Sequence, residues 1–352
     1  MILTLIYFIL ILGIIVLVHE FGHFIFAKMF GVHAYEFSIG MGPKIWSHRR
    51  KDKKDETEYC IRAIPIGGFV QLAGEEIEDD TGVPKDKKMY SKPIWQRFLI
   101  MFFGAGNNFI LAFLVLLLCG IFFGATNMDP VVGKLTDGYP MKEAGIEVGD
   151  KFLEVNGNHI STIDDVRLYM SVTKPGKTMT FKMKKATGEV ATYEITPQKE
   201  TIDEVTTYKF GIEFQKEVEK GFFAPLKYAF VKTGALFKQM GITLKLLFTG
   251  AVSMNNLSGP VGIYSIVGQT RSAGLESVLQ LLALLSLNVG FVNLIPFPAF
   301  DGGRILFLVI EKIKGSPVKP KVENIFHSIG FILLMILLIY ITFNDVIRMF
   351  FS

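Results

Sequence analysis

The stretch Val16-Leu17-Val18-His19-Glu20-Phe21-Gly22-His23 (residues 16–23, VLVHEFGH) ends an apolar run that begins at residue 2. A run of this length predicts a membrane-spanning helix, because about 20 helical residues cross a hydrocarbon core of ~30 Å. Each ionisable group near mid-membrane costs roughly 2.5–3.5 kcal/mol on insertion scales. The two histidines and the glutamate are therefore expected to serve a function.

Three further apolar runs lie at residues 98–123, 278–297 and 329–343. Half of the 352 residues are hydrophobic, and most of the charged residues fall between these runs. This pattern predicts a multi-pass α-helical membrane protein with about four transmembrane helices and an extramembrane domain. No lysine or arginine precedes Lys28, which argues against a cleaved secretory signal, since such a signal opens with a basic region.

The distribution of charge predicts the orientation in the bilayer. Basic residues are frequent in residues 44–97, after the first run, and again in residues 304–321, before the last run. Both stretches adjoin membrane segments, so the positive-inside rule places them in the cytoplasm and places residues 124–275 outside. The net charge of +4 suits contact with anionic lipid head groups. Basic residues do not interleave with aromatic ones, so no nucleic acid partner is expected.

The segments between the runs differ in character. Alternating residues and glycine turns over 34–72 predict a small β-element, and the polar residues 73–92 predict a mobile loop. Residues 129–214 predict a soluble module of short strands, with turn dipeptides at Gly149-Asp150 and Asn156-Gly157. The two cysteines, Cys60 and Cys119, are too few for a disulfide framework.

Residues 222–252 are ambiguous, because lysines interrupt an apolar pattern. Lys238 and Lys245 are seven residues apart and share a helical face. An amphipathic helix at the membrane surface is favoured over a fifth span.

The spacing of the opening stretch predicts a metal site. Residues four apart in a helix project from one face, so His19 and His23 could hold one Zn²⁺. Glu20 is rotated off that direction and could act on a metal-bound water as general base, the arrangement of metalloproteases. The alternative is a polar network that only packs helices.

A catalytic zinc site needs a third protein ligand. The remaining histidines lie elsewhere: His33 and His48 in the basic region after the first run, His159 in the soluble module and His327 near the start of the fourth run. Asp301 is the stronger candidate, because it lies in a proline-containing segment of the third apolar run, Asn293-Leu294-Ile295-Pro296-Phe297-Pro298-Ala299-Phe300-Asp301-Gly302-Gly303.

Prolines cannot continue a regular helix, and broken backbone at membrane depth is tolerated where it lines a cavity. The segment therefore predicts a helix that breaks at an active-site cavity. The alternative is that Asp301 merely caps a helix over residues 303–312. Asn293 could hydrogen-bond a substrate backbone, or pack against a neighbouring helix.

These motifs together resemble the site-2 protease family of intramembrane zinc metalloproteases, of the bacterial RseP/RasP type. The resemblance rests on HEFGH in the first helix and NLIPFPAFDGG in a later one, and it covers nearly the whole chain. Gly40-Met41-Gly42-Pro43-Lys44 and Ile64-Pro65-Ile66-Gly67-Gly68-Phe69-Val70 resemble the membrane-associated β-region of that family. Residues 144–157, AGIEVGDKFLEVNG, resemble a PDZ domain.

The resemblance implies Zn²⁺ bound by His19, His23 and Asp301, with Glu20 as catalytic base. It implies a bacterial cytoplasmic-membrane protease that cleaves single-pass membrane proteins, such as anti-sigma factors, or remnant signal peptides. The β-region would clamp an unwound substrate as an added strand. The glycines of the β-region are the implied substrate contacts: Gly40, Gly42, Gly67 and Gly68.

The same resemblance implies the organisation of the chain. The expected parts are a first transmembrane helix at 1–30, a cytoplasmic-side β-region and loop at 31–96, a second transmembrane helix at 97–124, an extracytoplasmic PDZ domain at 127–214, an interfacial helix and connection at 215–274, a third transmembrane segment at 275–303, a cytoplasmic loop at 304–324 and a fourth transmembrane helix at 325–348.

The chain departs from the family at two places. It shows one PDZ-like module where some relatives have two, and Ala105 stands where relatives usually have proline. A metal transporter or membrane chaperone is the non-enzymatic alternative, but transport needs no base beside His19. A membrane scaffold with a PDZ domain would leave the charged intramembrane cluster unexplained.

Overall fold

Four helices among the described residues are long and apolar enough to cross a membrane. They are α1 (Ile2–Met29), α2 (Ile94–Phe122), α7 (Leu275–Asn293) and α9 (Pro320–Phe351), the last over Lys321–Arg348. The structure is a computed structural model that describes residues 1–49, 56–75, 82–202, 205–250, 258–318 and 320–351. The prediction of a helical membrane protein with about four spans is confirmed.

The chain divides into two units. The first combines Met1–Val115 with Asn255–Ser352, and the second is Leu116–Met254. All four apolar helices lie in the first unit, except for the last turns of α2. The strands that follow α1 also belong to this unit.

The β-element of the first unit consists of two long antiparallel strands, β1 (Ala34–Arg49) and β2 (Glu58–Leu72). Both strands bend, so that Phe37 pairs with Val70 on one side and with Tyr59 on the other, while Tyr59 also pairs with His48. The prediction of a β-rich region here is confirmed. The segment around Val70 forms an outer edge of this sheet.

The segment after β2 is more ordered than its polar sequence predicts. Two 3-10 turns, Lys85–Lys87 and Met89–Ser91, lie within it, and the backbone N–H of Met89 donates to the carbonyl of Ala73 at 2.7 Å. Met89 is buried and packs in an apolar cluster with Val32 and Leu72. The segment predicted as a mobile loop over 73–92 therefore contains two 3-10 turns and a buried Met89 within the described residues 82–92; residues 76–81 lie outside the description.

The second unit contains the predicted strand-rich module. Its strands are β3 (Val132–Leu135), β4 (Lys151–Val155), β5 (Asn158–His159), β6 (Met179–Lys184), β7 (Val190–Ile195), β8 (Gln198–Ile202), β9 (Val205–Lys209) and β10 (Ile212–Phe214). Four strands form a sheet in the order β5-β4-β6-β7, and β10 pairs with β3. The core is built on Phe152 and Phe181, both with no exposed surface.

Two short helices complete the module, α3 (Pro140–Glu143) and α4 (Ile163–Val172). Thr162 caps α4 by accepting a hydrogen bond from the backbone N–H of Asp165, and the Asp165 carboxylate accepts one in return from the N–H of Thr162. This reciprocal cap fixes the start of α4 at Ile163.

Helix α5 (Ala224–Phe248) lies outside the four apolar helices, although it is long. Its lysines contact the module directly. Lys232 pairs with Asp164 at 2.6 Å, and Lys238 pairs with Asp165 at 2.9 Å. Lys232 and Lys238 therefore attach α5 to the first turn of α4.

Two further helices flank α7, namely α6 (Pro260–Ser272) and α8 (Asp301–Lys314). The carboxylate of Asp345 on α9 accepts hydrogen bonds from the N–H groups of Gly259 and Gly262, both at 2.8 Å, at the start of α6. Helix α8 occupies much of the segment expected as a loop over 304–324. Its amphipathic sequence explains the helix, since Phe307 and Leu308 are buried while Lys312 and Lys314 are exposed.

We expect Gly22→Ala to destabilise the contact between α1 and α2. A Cβ at Gly22 would collide with the backbone carbonyl of Phe103, which cannot rotate away. Overpacking of this kind costs about 1–3 kcal/mol. The measurement is the apparent melting temperature in detergent, followed by circular dichroism.

The matched control is Gly13→Ala on the same helix. Its Cβ would meet only the carbonyl oxygen of Pro65, at an ordinary 3.8 Å. Alanine also favours a helix over glycine by roughly 0.5–1 kcal/mol. Equal melting temperatures for the two variants would contradict the close approach at Gly22.

Candidate metal centre

Helix α1 brings two imidazoles together in its C-terminal half. His19 and His23 lie one turn apart and are almost fully buried. Their Nε2 atoms are 3.3 Å apart, and the rings stand nearly perpendicular, at 84°. Two nitrogens aimed at one point can share a metal ion.

The third group comes from the break after α7. The chain leaves the helix at Leu294, passes Pro296 and Pro298, and resumes as α8 at Asp301. Ala299 adopts a positive φ of 76° within this break. The predicted interruption of the third membrane segment is present, and it delivers Asp301 to the two histidines.

The carboxylate of Asp301 contacts both imidazoles. Its Oδ2 lies 3.2 Å from Nε2 of His19 and 3.4 Å from Nε2 of His23. Asp301 is the first residue of α8, and the cap position, Phe300, makes no side-chain cap. The alternative of Asp301 as a simple helix cap therefore fails, because its side chain is directed at the histidines.

The three atoms form a nearly equilateral triangle with sides of 3.2, 3.3 and 3.4 Å. Ligands bonded tetrahedrally to zinc at about 2.0–2.1 Å stand ~3.3 Å apart. Within the described part of the chain, Oδ2 of Asp301 is buried without a hydrogen-bond partner. A metal ion would satisfy this atom, so the donor set and its spacing fit Zn²⁺.

Helix α2 supports the two histidines from behind. Nδ1 of His23 lies 2.8 Å from the carbonyl oxygen of Ile100, and this bond directs the Nε2 lone pair towards Asp301. Nδ1 of His19 lies 3.4 Å from the side-chain amide of Asn108. A Cβ at Gly104 would occupy the position of the His23 ring, so glycine there admits the imidazole. The sequence identified none of these contacts as part of a site.

Glu20 stands beside the triangle and contacts the sheet. Its Oε2 accepts a hydrogen bond from the backbone N–H of Val70 at 3.0 Å. Val70 lies on the outer edge of β2, and its other neighbour is Phe37 of β1. The carboxylate next to the metal site is therefore linked to a strand edge.

Ion pairs hold α8, and with it Asp301, against the rest of the first unit. Arg304 pairs with Glu75, and Arg97 pairs with Glu311 at 2.5 Å. Burial alone would lower the pKa of the Arg304 guanidinium, but Glu75 and Asp301 raise that pKa overall. Arg304 therefore stays charged one turn after Asp301.

The other histidines do not join the triangle. His33 packs against Tyr35, and His48 stacks on Trp46. His159 belongs to β5 in the second unit. Nδ1 of His327 accepts the N–H of Ala299 at 3.1 Å, so it supports the broken segment from α9.

The residues expected to contact substrate lie at two places. Asn293 is the last residue of α7, and its side chain is half-buried. Gly40, Gly42 and Gly67 adopt positive φ where the strands bend, and a Cβ on Gly68 would meet the carbonyl of Ser38 at 2.6 Å. The glycines therefore shape the bent sheet.

A second group of potential ligands, Glu36, Glu58 and Cys60, lies on the sheet. Lys44 bonds both carboxylates at 2.8 Å, and Arg62 pairs with Glu36 at 2.7 Å. Burial would raise the pKa of Glu36, but these two cations lower it overall. Burial and Glu36 raise the pKa of the Cys60 thiol. The group is an ion-pair network, since its carboxylates are already neutralised and its thiol stays protonated.

Comparison with known proteins places these features in a family. The profile of Peptidase family M50 matches residues 7–337. The chain is 32% identical to "Zinc metalloprotease RasP" of Bacillus licheniformis, over 99% of both chains. It is also 32% identical to "Probable protease eep" of Enterococcus faecalis, over 99% of this chain and 100% of that one.

We expect Gly104→Ala to abolish tight binding of a divalent metal ion. The new Cβ would overlap the His23 ring, so Nε2 of His23 could not stay 3.4 Å from Asp301. Metal content of the purified protein, measured by mass spectrometry, tests this. The control is Gly106→Ala, whose Cβ would meet only phenylalanine ring edges at 3.2–3.6 Å, which can shift slightly. Full metal occupancy in Gly104→Ala would show that His23 is not required.

Proposed function

The chain belongs to Peptidase family M50, the site-2 proteases, and on that premise we propose which of its residues carry out the reaction. It is an intramembrane zinc metalloprotease that hydrolyses peptide bonds, with Zn²⁺ as its cofactor. The non-enzymatic alternatives, a transporter, a chaperone and a scaffold, do not fit this membership.

His19, His23 and Asp301 are the proposed zinc ligands. The triangle of their donor atoms is the observation that supports this assignment, because its sides match the separations around a tetrahedral metal. Three protein ligands leave a fourth position for water, as in catalytic rather than structural zinc sites.

Glu20 is the proposed general base. Bound Zn²⁺ would lower the pKa of a water molecule towards ~7 and polarise the scissile carbonyl. Glu20 follows His19 in α1, so its carboxylate can accept the proton of that water and return it to the departing amide nitrogen. The hydrogen bond from Val70 orients this carboxylate before substrate arrives.

The outer edge of β2 is the proposed docking site for substrate. A peptide bond inside a helix is shielded, so a transmembrane substrate must be extended before hydrolysis, and an added strand supplies that form. The N–H of Val70 is directed away from β1 and towards Glu20. A substrate strand that pairs with this edge would lie beside the metal and take over the N–H, which frees Glu20 to act.

Other residues support this docking from both sides. The bends at Gly40, Gly42, Gly67 and Gly68 hold the edge in place, and Asn293 at the end of α7 is the proposed partner for substrate backbone. The proposed substrates are single-pass membrane proteins such as anti-sigma factors, and remnant signal peptides.

The proposed location is the bacterial cytoplasmic membrane. The basic stretches 44–97 and 304–321 favour the cytoplasmic side for the β-region and α8. The same rule favours an extracytoplasmic side for the strand module, which we assign as a PDZ domain over residues 127–214.

A groove of about 670 Å³ in this module supports a role in reading substrates. Helix α4 supplies Arg167 and Met170 to one wall, while β10 supplies Ile212 and Phe214 to the other. Lys174, Lys177 and Lys216 also line it. No ion pair joins these three lysines or Arg167 to a carboxylate within the described residues, so the groove favours an extended acidic segment over a basic one. The alternative roles of the module are a size filter and a purely structural cap, and neither needs such a groove.

We expect Glu20→Gln to abolish cleavage of a model transmembrane substrate while zinc stays bound. Glutamine keeps the size of the side chain and an oxygen for the Val70 N–H, but it cannot accept the proton. Cleavage is followed by gel shift of the substrate, and zinc by mass spectrometry on the same preparation. Proteolysis retained at the parent rate would rule out Glu20 as the base.

We expect an acidic fluorescent peptide to bind the full-length protein more tightly than a basic peptide of equal length. The cations of the groove would attract it, so Arg167→Glu combined with Lys174→Glu should weaken binding at least tenfold. Fluorescence polarisation measures the affinity. The matched control is Lys184→Glu, an exposed lysine of β6 outside the groove. Equal, weak binding of both peptides would instead favour the size filter.

A further inference from the structure

Asn108 of α2 is a polar side chain that contacts the histidine pair from outside the motif. It is fully buried, and its amide nitrogen lies 3.4 Å from Nδ1 of His19. Its backbone carbonyl accepts a hydrogen bond from the hydroxyl of Ser286 on α7 at 2.9 Å. Asn108 thus lies at a junction of three helices, directly behind one imidazole.

The side-chain amide of Asn108 lacks a hydrogen bond to its oxygen. Its Oδ1 is buried and has no hydrogen-bond partner among the described residues. A buried carbonyl oxygen without a donor is costly, and most such atoms in folded proteins are paired. A donor for this oxygen must therefore be sought near the amide.

The neutral tautomer of His19 with its proton on Nδ1 supplies that donor. Nε2 of His19 can bind a metal only when it carries no proton, so in the neutral ring the proton sits on Nδ1. Nδ1–H then needs an acceptor, and the nearest side chain is the Asn108 amide. A half-turn about the last bond of the amide exchanges its oxygen and nitrogen, which occupy nearly equivalent positions. Oδ1 of Asn108 then accepts a hydrogen bond from Nδ1–H of His19. This one bond gives a partner to both the oxygen and the N–H group.

We propose that Asn108 is a positioning residue of the metal centre, which accepts the Nδ1–H of His19 and so fixes the tautomer and direction of that ligand. His23 receives the same support from the carbonyl of Ile100, at 2.8 Å. Both imidazoles are thus held by α2, one through a side chain and one through the backbone. Metal-binding histidines are generally supported in this way.

The neighbouring Asn107 provides a matched contrast. It is half-buried, and its amide donates to the carbonyl of Val18 at 3.5 Å, so it contacts α1 without touching a histidine ring. Both asparagines bridge the same two helices. Only Asn108 is placed to influence the metal.

The test compares Asn108→Leu, Asn108→Asp and Asn107→Leu in the full-length protein in detergent. Leucine has the same branched shape as asparagine but no acceptor, so we expect the affinity for Zn²⁺ to fall about 10–100-fold, the usual effect of losing such a partner. Aspartate can accept Nδ1–H and should restore the affinity. Asn107→Leu should bind zinc like the parent. Affinity is measured by competition with a chromophoric chelator.

A second readout separates positioning from simple stability. Cobalt(II) in place of zinc gives a visible spectrum that depends on ligand geometry, and Asn108→Leu should change it while Asn108→Asp and Asn107→Leu retain it. If Asn108→Leu, folded by circular dichroism, kept the parent affinity and spectrum, the proposal would be overturned. Equal weakening by Asn107→Leu would also overturn it, since the effect would then belong to helix packing.

The inference rests on the proposed ligand set. The variant His23→Ala tests that ligand set separately from the role of Asn108. Retention of tight zinc binding in His23→Ala would refute the ligand set itself. Loss of binding in His23→Ala, with parent affinity in Asn108→Leu, would leave the ligands intact and refute only the role of Asn108.

Discussion

The mutual contact of His19, His23 and Asp301 is the constraint on which the first unit depends. Three titratable groups at membrane depth are tolerable only when they satisfy one another or a metal ion. Several locally unfavourable features of the chain make this contact possible. Two prolines interrupt the chain between α7 and α8, Ala299 takes a positive φ, and α2 carries glycine at position 104 where the His23 ring needs space.

The approach of α1 and α2 makes that contact possible. Gly22 lies against the backbone of Phe103, and Phe26 stacks on the Phe103 ring with centroids 3.9 Å apart. At this distance the backbone of α2 can hydrogen-bond a histidine directly, as the Ile100 carbonyl does with His23. Membrane helices associate through close packing rather than through a hydrophobic effect, and small residues such as Gly22 permit that close packing.

Much of this arrangement could be predicted from local sequence. The i, i+4 spacing placed His19 and His23 on one face, and the two prolines indicated where a membrane helix would break near Asp301. The contacts of Val70, Ile100 and Asn108 could not be predicted, because they depend on how separate elements meet. The lysines of α5 show the same limit: their pattern indicated an amphipathic helix at the membrane surface, but it could not indicate that Lys232 and Lys238 pair with the start of α4.

The link between Glu20 and the strand edge has a consequence for how sequences of this kind can diverge. The donor at Val70 is a main-chain N–H, so every residue except proline preserves it. Side-chain contacts such as those of Asn108 are lost by a single unfavourable substitution. The coupling between the carboxylate and the strand therefore tolerates any substitution at position 70 that keeps the backbone N–H in place.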